Sequence, residues 1–446
     1  MSRILIAGAG VAALECALAL HELAGREATV ELLAPAPELV HRPSSVTTPF
    51  GGPAAARLDL RDIAAETGMR LRRDALQAVE PATDSVITRD GDRVQYDALV
   101  VATGARSREA VAGALAFRGP MSAGVVEQAV AELAADPARR LAFVAPHGLR
   151  WQLPLYELAL LSAATLRNRG VADPDIVVVT GEHEPLEVFG PAASEALHRE
   201  LSAAGIELVT SAAAVSAFEG ALRLESGELV AADVVVALPE VVGPGIPGLP
   251  QDDNGFIPVD EHCRVDGFAN VFAAGDVTAC PIKHGGLAAQ QADAVAEAIA
   301  ARLGTVGYPE PFRPVLRGLL LTGERSLYLR TELGPGGLSE HRLLPAPGTV
   351  SQGALWWPPT KVAGRYLSRF VAASTAALDD RAAGPVPDGI ELIAQAAEED
   401  AAAGDRESAV RALDDAEAWL GPLPAAIARR RDEWRELIPR QERSRT

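Results

Sequence analysis

Cysteine is scarce in this sequence of 446 residues, which contains only Cys16, Cys263 and Cys280. No two of them form a CxxC pair, so a disulfide framework is excluded as the basis of stability. The eight histidines lack metal-ligand spacing to another histidine, cysteine or carboxylate cluster, and we expect no bound metal. Aromatic residues make up only 4%, so the core is expected to consist mainly of Ala, Leu and Val.

Positive charge and long apolar runs are scarce as well. Lys and Arg number 41 against 60 Asp and Glu, and the resulting net charge of −19 repels nucleic acid and anionic membrane surfaces. A transmembrane helix needs at least about 18 consecutive apolar residues. Every window of that length in this sequence contains a charged residue, a Pro or a Gly. A strand-like run starts at residue 3 and leaves no room for a signal or transit peptide. We therefore expect a cytoplasmic location and no nucleic-acid role.

What the sequence does contain is two series of alternating strands and helices. Strand-like runs cover residues 3–7 and 98–102 in the first series, and 141–145, 176–180 and 233–238 in the second. Apolar strands separated by helical segments are typical of doubly wound parallel sheets. The sequence predicts an α/β protein with two Rossmann-like domains, followed by a C-terminal α+β region and a short helical tail.

A glycine loop connects the first strand to the first helix. It spans residues 8–13 and matches the GxGxx(G/A) pattern of dinucleotide-binding folds. Gly8 permits the tight turn, and Gly10 lets the backbone approach a pyrophosphate. Ala12 and Ala13 are small enough to keep the helix close to the sheet, so that its N-terminal amides face the phosphate charge. The loop therefore predicts a dinucleotide site.

The usual ribose ligand of such a site is missing. An acidic residue normally ends the second strand of the fold. Here Ala34 stands at that position, and Glu31 lies in the middle of the strand. Contact with the ribose is therefore expected from Glu38, from Arg42 or from the backbone.

Two further strand ends carry small polar turns. One buried strand is followed by Thr103 and Gly104, and another by Gly275 and Asp276. The carboxyl ends of parallel strands are where α/β sheets bind ligands. Together with the glycine loop, these segments resemble the FAD site of the two-dinucleotide-domain flavoproteins of the pyridine nucleotide-disulfide oxidoreductase superfamily. The resemblance implies that FAD is the cofactor and that Asp276 accepts a hydrogen bond from a ribityl hydroxyl.

Within that superfamily the sequence is most similar to sulfide:quinone oxidoreductases, flavocytochrome c sulfide dehydrogenases and type II NADH dehydrogenases. Residues 281–286, Pro-Ile-Lys-His-Gly-Gly, resemble the stretch that meets the pyrimidine edge of the flavin in the sulfide-oxidising members. The resemblance implies that Lys283 and the helix N-terminus at Gly285 stabilise negative charge on the reduced flavin. A solvated lysine at a helix start is the alternative.

The same resemblance and the segment pattern together suggest how the chain is divided. The FAD-binding domain is expected to comprise residues 1–110 and 240–305, and the second, NAD(P)-binding-like domain residues 111–239. Residues 306–380 are expected to cover the flavin, and residues 386–440 to form the helical tail. The Pro- and Gly-rich stretch that begins at residue 239 is expected to be a crossover without helix or strand.

The second strand–helix junction, residues 145–157, has lost the glycine pattern. A stably bound NAD(P)H would need GxGxxG there, but the junction has one glycine and two prolines, and Trp151 would crowd a phosphate. Residues 154–157, Pro-Leu-Tyr-Glu, are similar to a helix start in the sulfide-oxidising relatives. The redox cysteine of those relatives is replaced by Arg150, Trp151 and Gln152. Sulfide oxidation through a dithiol relay is therefore not expected.

The three cysteines differ in their expected reactivity. Cys280 lies four residues past Asp276, so it is a candidate for an adduct with substrate or flavin, with an inert buried thiol as the alternative. Cys263 has basic neighbours that would lower its pKa. Cys16 is expected in the core.

The C-terminal third suggests two contact surfaces. A helix starting at Lys361 would place Lys361, Arg365 and Arg369 on one basic stripe, preceded by the pair Trp356 and Trp357. Such a helix would make peripheral contact at the inner membrane face, or it would pack on the flavin domain with its charges in water. The tail is expected to pack on the body or on a second subunit of a homo-oligomer.

The preferred function is an FAD-dependent oxidoreductase that passes electrons from a small reductant to an acceptor, for which a quinone is the candidate. One alternative is an NAD(P)H-dependent flavin reductase or dehydrogenase that binds the nicotinamide transiently. An alternative of another class is a redox-silent FAD-binding scaffold.

Overall fold

The computed structural model describes residues 1–334, 348–356, 359–362, 364–371, 394, 397–398, 401–402, 406–420, 423 and 425–438. Its strands are β1 (Ser2–Ala7), β2 (Ala28–Leu33), β3 (Glu38–Val40), β4 (Arg57–Asp59), β5 (Arg70–Arg72), β6 (Leu76–Glu80), β7 (Ser85–Thr88), β8 (Arg93–Gln95), β9 (Ala98–Val101), β10 (Arg106–Arg108), β11 (Leu115–Ala116), β12 (Leu141–Val144), β13 (Ile176–Val179), β14 (Glu207–Val209), β15 (Ala214–Phe218), β16 (Ala221–Leu224), β17 (Leu229–Ala231), β18 (Val234–Ala237), β19 (Glu240–Val242), β20 (Val271–Ala273), β21 (Val315–Leu320), β22 (Leu327–Glu332) and β23 (Thr349–Ser351). Its helices are α1 (Val11–Ala24), α2 (Leu60–Thr67), α3 (Ala123–Ala135), α4 (Leu153–Asn168), α5 (Pro191–Ala203), α6 (Gly285–Arg302), α7 (Arg406–Leu420) and α8 (Ala425–Leu437).

The first Rossmann-like sheet is parallel and has the strand order β20, β9, β1, β2, β5. Helices α1 and α6 pack against each other on one face. The other face packs against the antiparallel sheet β6–β7–β8 through a cluster that includes Leu5, Leu33 and Val86. Because β1, β9 and β20 are parallel neighbours, their carboxyl ends meet at one edge, which brings the three predicted cofactor segments together.

The second sheet repeats this arrangement with the strand order β11, β18, β12, β13, β14. All four residues of β12, β13 and β18 are buried, as expected for strands covered on both faces. The strand-like runs predicted for this half lie within a residue or two of the observed strands. The predicted α/β class with two Rossmann-like sheets is confirmed.

The stretch after residue 238 differs from the prediction in one respect. Residues Glu240–Val242 form β19, which pairs antiparallel with β10. The reason is local, since these residues precede the first glycine of the stretch and two of them are β-branched valines. Arg108 and Glu240 add an ion pair of 2.8 Å between the two strands.

The C-terminal region forms the antiparallel sheet β21–β22–β23. It packs closely on the second domain, since a Cβ placed on Gly318 would lie only 2.7 Å from Cζ of Phe189. Helices α7 and α8 pack on each other around Leu413 and Leu423. Residues 386–393 of the predicted tail lie outside the described residues.

The predicted helix starting at Lys361 is wrong. Residues 361 and 362 form a bend, and helical residues begin only at Ser368. Lys361 is buried in an ion pair with Glu157, because its ammonium group meets a carboxylate from a distant part of the chain. The other two members of the expected stripe pair separately, Arg365 with Glu297 at 3.7 Å and Arg369 with Glu66.

The aromatic pair and the hydrophobicity of the helices bear on the predicted membrane contact. Trp356 is buried and donates a hydrogen bond from Nε1 to the carbonyl oxygen of Thr360 at 3.0 Å. Trp357 lies outside the described residues. Within the described ranges, none of the helices is both long and apolar enough to cross a bilayer.

Candidate functional site

A cavity of about 790 Å³ lies where the two Rossmann-like sheets and the C-terminal sheet meet. It is lined by most of the predicted cofactor residues, namely Gly8, Gly10, Ala12, Arg42, Thr103, Gly104, Gly275, Asp276, Lys283 and Gly285. Glu38, the other candidate for ribose contact, also lines it, whereas Ala13 is buried in the core. The structure therefore brings together segments that are up to about 275 residues apart in the sequence.

The two glycines of the N-terminal loop have different structural roles. Gly8 has φ +132°, and a Cβ there would lie 2.1 Å from the carbonyl oxygen of Ala102. Its amide donates a hydrogen bond to the carbonyl oxygen of Leu33 at 2.9 Å. Gly10, by contrast, is extended, and a Cβ there would meet no atom of the described residues within 4 Å. The fold itself requires Gly8, whereas the space beside Gly10 is open to the cavity.

Helix α1 begins at this loop with its first amides available. Among the residues that the structure describes, no side chain caps its N-terminus, and no acidic residue stands in its first turn. Free amides and the helix dipole make such an end favourable for an anion. A pyrophosphate at Gly10 would meet these groups without displacing a protein ligand.

The turn that follows β20 is fixed by a buried hydrogen-bond network. The amide of Gly275 donates to Oε1 of Gln291 at 2.7 Å, and Oγ1 of Thr278 donates to the carbonyl oxygen of Gly275 at 2.9 Å. Asp276 comes directly after. Burial raises the pKa of its carboxyl group, and the positive charges of Lys283 and Arg42 oppose that rise.

The Asp276 carboxylate is left available by this arrangement. With the described part of the chain it makes no side-chain hydrogen bond and no ion pair within 4 Å, although it lines the cavity. Asp276 is half-buried, and a carboxylate at a cavity wall is stabilised by a donor partner. A ligand hydroxyl at this point would supply one.

Lys283 is held in place rather than free in solvent. Its Nζ donates to the carbonyl oxygen of Thr278 at 2.5 Å and lies 3.5 Å from the ring centroid of Phe256. Burial lowers the pKa of Lys283 to about 8, against the opposing effects of Cys280, Asp276 and Asp252. The ammonium group is therefore a fixed positive charge beside the cavity at neutral pH.

Helix α6 starts next to Lys283 and points its N-terminus toward the same space. Its N-cap is His284, whose Nδ1 accepts a hydrogen bond from the amide of Leu287 at 3.3 Å. Burial lowers the pKa of His284 to about 3, so the ring is neutral. Gly285 is in close contact with Val362, because a Cβ there would lie 2.8 Å from Cγ2 of that valine.

A buried ion pair that the sequence did not predict also lines the cavity. Nζ of Lys361 donates to Oε1 of Glu157, which also accepts from the amide of Leu321 at 3.0 Å. Oε2 of Glu157 has no hydrogen-bond partner within the described part of the chain. Burial raises the pKa of Glu157, and Lys361 opposes the rise. One signal was present in the sequence, since Glu157 lies among the apolar residues of α4 where an unpaired carboxylate would be costly.

The second strand–helix junction is closed by its own side chains. Gln152 is buried, with Oε1 accepting from Oγ1 of Thr180 at 2.6 Å and Nε2 donating to the carbonyl oxygen of Leu149 at 2.9 Å. After the end of β13, Glu182 accepts hydrogen bonds from the hydroxyl of Tyr156 at 2.5 Å and from the amide of Leu186. The polar groups that a dinucleotide would contact are thus already paired.

Trp151 covers the same junction. Its ring centroid lies 4.4 Å from that of His284 and 5.9 Å from that of Phe189. The indole therefore bridges the second domain and the start of α6. Together with Leu149 and Leu153, it forms an apolar part of the cavity wall.

Replacing Glu182 by Gln is expected to remove one pH-dependent part of the stability. Burial raises the pKa of Glu182 from 4.5 to about 7, so this group stabilises the fold fully below pH 4.5 and loses that contribution as the pH rises through 7. The unfolding free energy of the wild type should fall by about 3 kcal/mol relative to the variant between pH 4 and pH 8. Urea unfolding measures this, and a pH-independent difference would contradict it. Glu195→Gln, at an exposed position, serves as the control.

None of the three cysteines lines the cavity. All are buried, and burial raises the pKa of each thiol. The predicted lowering at Cys263 is wrong, because its neighbour Arg264 pairs with Asp260 at 2.8 Å instead of acting on the thiol. Sγ of Cys280 donates a weak hydrogen bond to the carbonyl oxygen of Ile282 at 3.7 Å. The geometry gives no support to an adduct at Cys280.

The fold and the cavity are those of a two-dinucleotide-domain oxidoreductase. The model of the pyridine nucleotide-disulphide oxidoreductase family matches residues 1–126 and 158–299. The chain belongs to this family, as its sequence predicted, and it is an oxidoreductase by class.

Several known proteins are similar to the chain. The NADH dehydrogenase-like proteins of two Mycobacterium tuberculosis strains are each 29% identical over 297 residues, which is 63% of this chain and 73% of theirs. The sulfide:quinone oxidoreductase of Aquifex aeolicus has a TM-score of 0.68 at 19% identity, over 79% of this chain and 87% of that one. A ferredoxin reductase of Rhodopseudomonas palustris has a TM-score of 0.57 at 22% identity, over 75% and 82%. These structures share the fold.

Proposed function

We propose that the chain binds FAD in the 790 Å³ cavity and passes electrons from a small reductant to an acceptor, without a stably bound nicotinamide. One contrast carries the proposal. The strand ends of the first domain are open and lined by small residues, whereas the matching ends of the second domain are filled by the Gln152–Thr180 and Tyr156–Glu182 pairs. Since every dinucleotide needs close backbone approach at such a junction, only the first is suited to one.

The residues that line the cavity are suited to each part of FAD. The pyrophosphate would lie at Gly10 and the N-terminus of α1, and Arg42 or Glu38 would contact the adenosine ribose. Asp276 would accept from a ribityl hydroxyl, which gives its unpartnered carboxylate a donor. Thr103 and Gly104 would form the wall between these two contacts. When bound, FAD supplies the capacity to accept and release one or two electrons.

The charges at the ring end favour electron acceptance. Lys283 is a fixed ammonium group, and the N-terminus of α6 at Gly285 adds a positive dipole end. Both stabilise extra negative charge in this part of the cavity, where low polarity strengthens the effect. Lys361 and Glu157 hold a proton at the same end, so an exchangeable proton is available close to where electrons arrive.

We also propose the division of the chain into functional units. Residues 1–110 and 240–305 hold FAD, and residues 111–239 form the second domain that no longer holds a dinucleotide. Residues 306–380 cover the flavin, and residues 386–440 form a helical tail that packs on the body or on a second copy of the chain. This division follows the two parallel sheets and the C-terminal sheet.

A quinone is the proposed acceptor. The observation in its favour is the apolar wall of the cavity at Leu149, Trp151 and Leu319, where a flat aromatic ring would lie next to the flavin. The similarity of fold to a protein named sulfide:quinone oxidoreductase also favours it. Sulfide is not proposed as a donor through a thiol relay, because the described cysteines lie outside the cavity lining.

A second candidate is an NAD(P)H-dependent reductase. The name of the Mycobacterium tuberculosis relatives, NADH dehydrogenase-like, favours it. A nicotinamide would then contact the flavin transiently at Trp151, without anchoring its pyrophosphate in the second domain.

Anaerobic flavin spectroscopy distinguishes these candidate functions. The purified protein, loaded with FAD, is mixed in turn with NADH, NADPH, sulfide and a quinol, and with dithionite as the positive control. We expect one of the small reductants, but neither NADH nor NADPH, to bleach the flavin absorbance within seconds. Rapid bleaching by NADH or NADPH would overturn the proposal in favour of the second candidate. Bleaching by dithionite alone would favour a redox-silent FAD scaffold.

A further inference from the structure

Glu15 is a buried acid of α1 that contacts the C-terminal part of the chain. Its Oε1 accepts a hydrogen bond from the amide of Tyr366 at 2.7 Å, and its Oε2 accepts from the amide of Leu367 at 2.8 Å. The residue is 0% exposed. These two amides open the helical turn that continues to residue 371, so the carboxylate caps this turn from a position about 350 residues away in the sequence.

The capped turn is continuous with the wall of the cavity. Residues 364–367 precede the helical residues, and Lys361 and Val362 stand just before them and line the cavity. Oγ of Ser368 accepts from the amide of Gly364 at 3.0 Å, which closes the turn on itself. On either side of residue 363, Lys361 is fixed by its pair with Glu157, and the turn at 364–367 is fixed by Glu15.

The fit at the Glu15 end is tight. A Cβ placed on Gly364 would lie 2.6 Å from Oε2 of Glu15. Any side chain at that position would push the carboxylate and the turn apart. The absence of a side chain therefore allows the close approach that the two hydrogen bonds need.

The carboxylate of Glu15 lies among other charged groups. Asp293 of α6 is half-buried near it, and its buried Oδ1 has no hydrogen-bond partner among the described residues. Arg365 faces both acids and also lies 3.7 Å from Glu297, and Arg411 of α7 contributes a second positive charge. Burial raises the pKa of both Glu15 and Asp293, while the amides of Tyr366 and Leu367 favour the ionised form of Glu15.

We propose that Glu15 is a positioning residue for the flavin site: its carboxylate holds the turn at 364–367 and thereby holds Lys361 and Val362 against the ring end of the cavity. The inference rests on the proposed function for the identity of that cavity. The anchoring contact itself is independent of any cofactor.

The matched variants are Glu15→Gln and Asp293→Asn. Glutamine has the same shape as glutamate but turns an NH2 group toward one of the two amides, so one of the hydrogen bonds is lost. Asparagine at 293 leaves both acceptors of Glu15 intact and removes a nearby acid. Gly364→Ala is the second test of the same contact, because it disturbs the turn without changing α1.

Limited trypsin digestion of the full chain without flavin measures the contact. We expect trypsin to cleave after Lys361 and Arg365 at least about tenfold faster in Glu15→Gln and Gly364→Ala than in the wild type. Mass spectrometry of the fragments measures the rate at each site. Asp293→Asn should be cleaved no faster than the wild type. Unchanged cleavage in Gly364→Ala and Glu15→Gln, or equal acceleration in Asp293→Asn, would overturn the proposal.

The absorption and fluorescence of bound flavin provide a second measurement, which loss of packing elsewhere in the protein would not change. The visible absorption band and fluorescence of the flavin should shift in Glu15→Gln and Gly364→Ala toward those of a more exposed ring, and stay as in the wild type in Asp293→Asn. An unshifted spectrum in both turn variants would show that the segment does not contact the ring. If the wild type fails to bind FAD, the proposed function fails, but the digestion result still decides whether Glu15 anchors the turn.

Discussion

Lys361→Met is expected to lower the free energy of unfolding by about 3 to 5 kcal/mol, the range for breaking a buried ion pair by removing one partner. The substitution leaves the carboxylate of Glu157 at 0% exposure with the amide of Leu321 as its hydrogen-bond donor. Burial already raises the pKa of Glu157, and Lys361 is the main opposing charge. The variant carboxyl should therefore bind a proton, and the loss of stability should be smaller in acid than at pH 8.

Urea unfolding of the wild type, Lys361→Met and the double variant Lys361→Met/Glu157→Gln measures this effect. The double variant should recover much of the loss, because a neutral amide replaces the unpaired carboxylate. Arg369→Gln is the matched control, since its ion pair with Glu66 is roughly half exposed and should contribute less than about 1 kcal/mol. Equal losses of unfolding free energy at positions 361 and 369 would show that the buried ion pair stabilises the fold no more than the exposed one.

Gly10→Ala is expected to weaken FAD binding by at least about 100-fold, about 3 kcal/mol, while the fold remains intact. The backbone at Gly10 is extended and accepts alanine without strain, and within the part of the chain that the structure describes the new Cβ would meet no atom within 4 Å. The methyl group would instead occupy the space that a pyrophosphate needs. Gly8→Ala should behave differently, because its Cβ would lie 2.1 Å from a backbone oxygen at a φ of +132°.

Titration of the flavin-free proteins with FAD, followed by fluorescence quenching, and thermal melting by circular dichroism separate the two glycines. We expect Gly10→Ala to melt as the wild type does but to bind FAD poorly, and Gly8→Ala to lose stability as well as binding. Gly124→Ala in α3 is the control, since its Cβ would also meet open space, but away from the cavity. Wild-type affinity in Gly10→Ala would place the pyrophosphate elsewhere.

The local features of the fold followed from the sequence. The strands near residues 98–102, 141–145 and 176–180 were visible because a buried parallel strand is a continuous apolar run between turn residues. The glycine loop could be located because the conformation of Gly8 and the open space at Gly10 impose a residue type at fixed positions. Such constraints act within a few residues of chain, and a single sequence displays them directly.

The helix predicted for the C-terminal segment is wrong for the opposite reason. The spacing of Lys361, Arg365 and Arg369 matches a helical stripe, but each side chain has a different acidic partner, Glu157, Glu297 and Glu66. These acids belong to α4, α6 and α2. Periodicity cannot reveal a partner some 70 to 300 residues away in the sequence.

The α/β class, the family and the chemistry of the first nucleotide loop can all be predicted from the amino-acid sequence, because Gly8 and Gly10 act through the backbone next to them. Three features become visible only in the folded chain: Lys361 is buried against Glu157, Glu15 caps a turn near the other end of the chain, and Gln152 and its partners fill the second junction. The physical reason is the range of the interactions. Backbone conformation and strand burial are set by neighbouring residues, whereas pairing of buried polar groups depends on which distant elements the fold brings together.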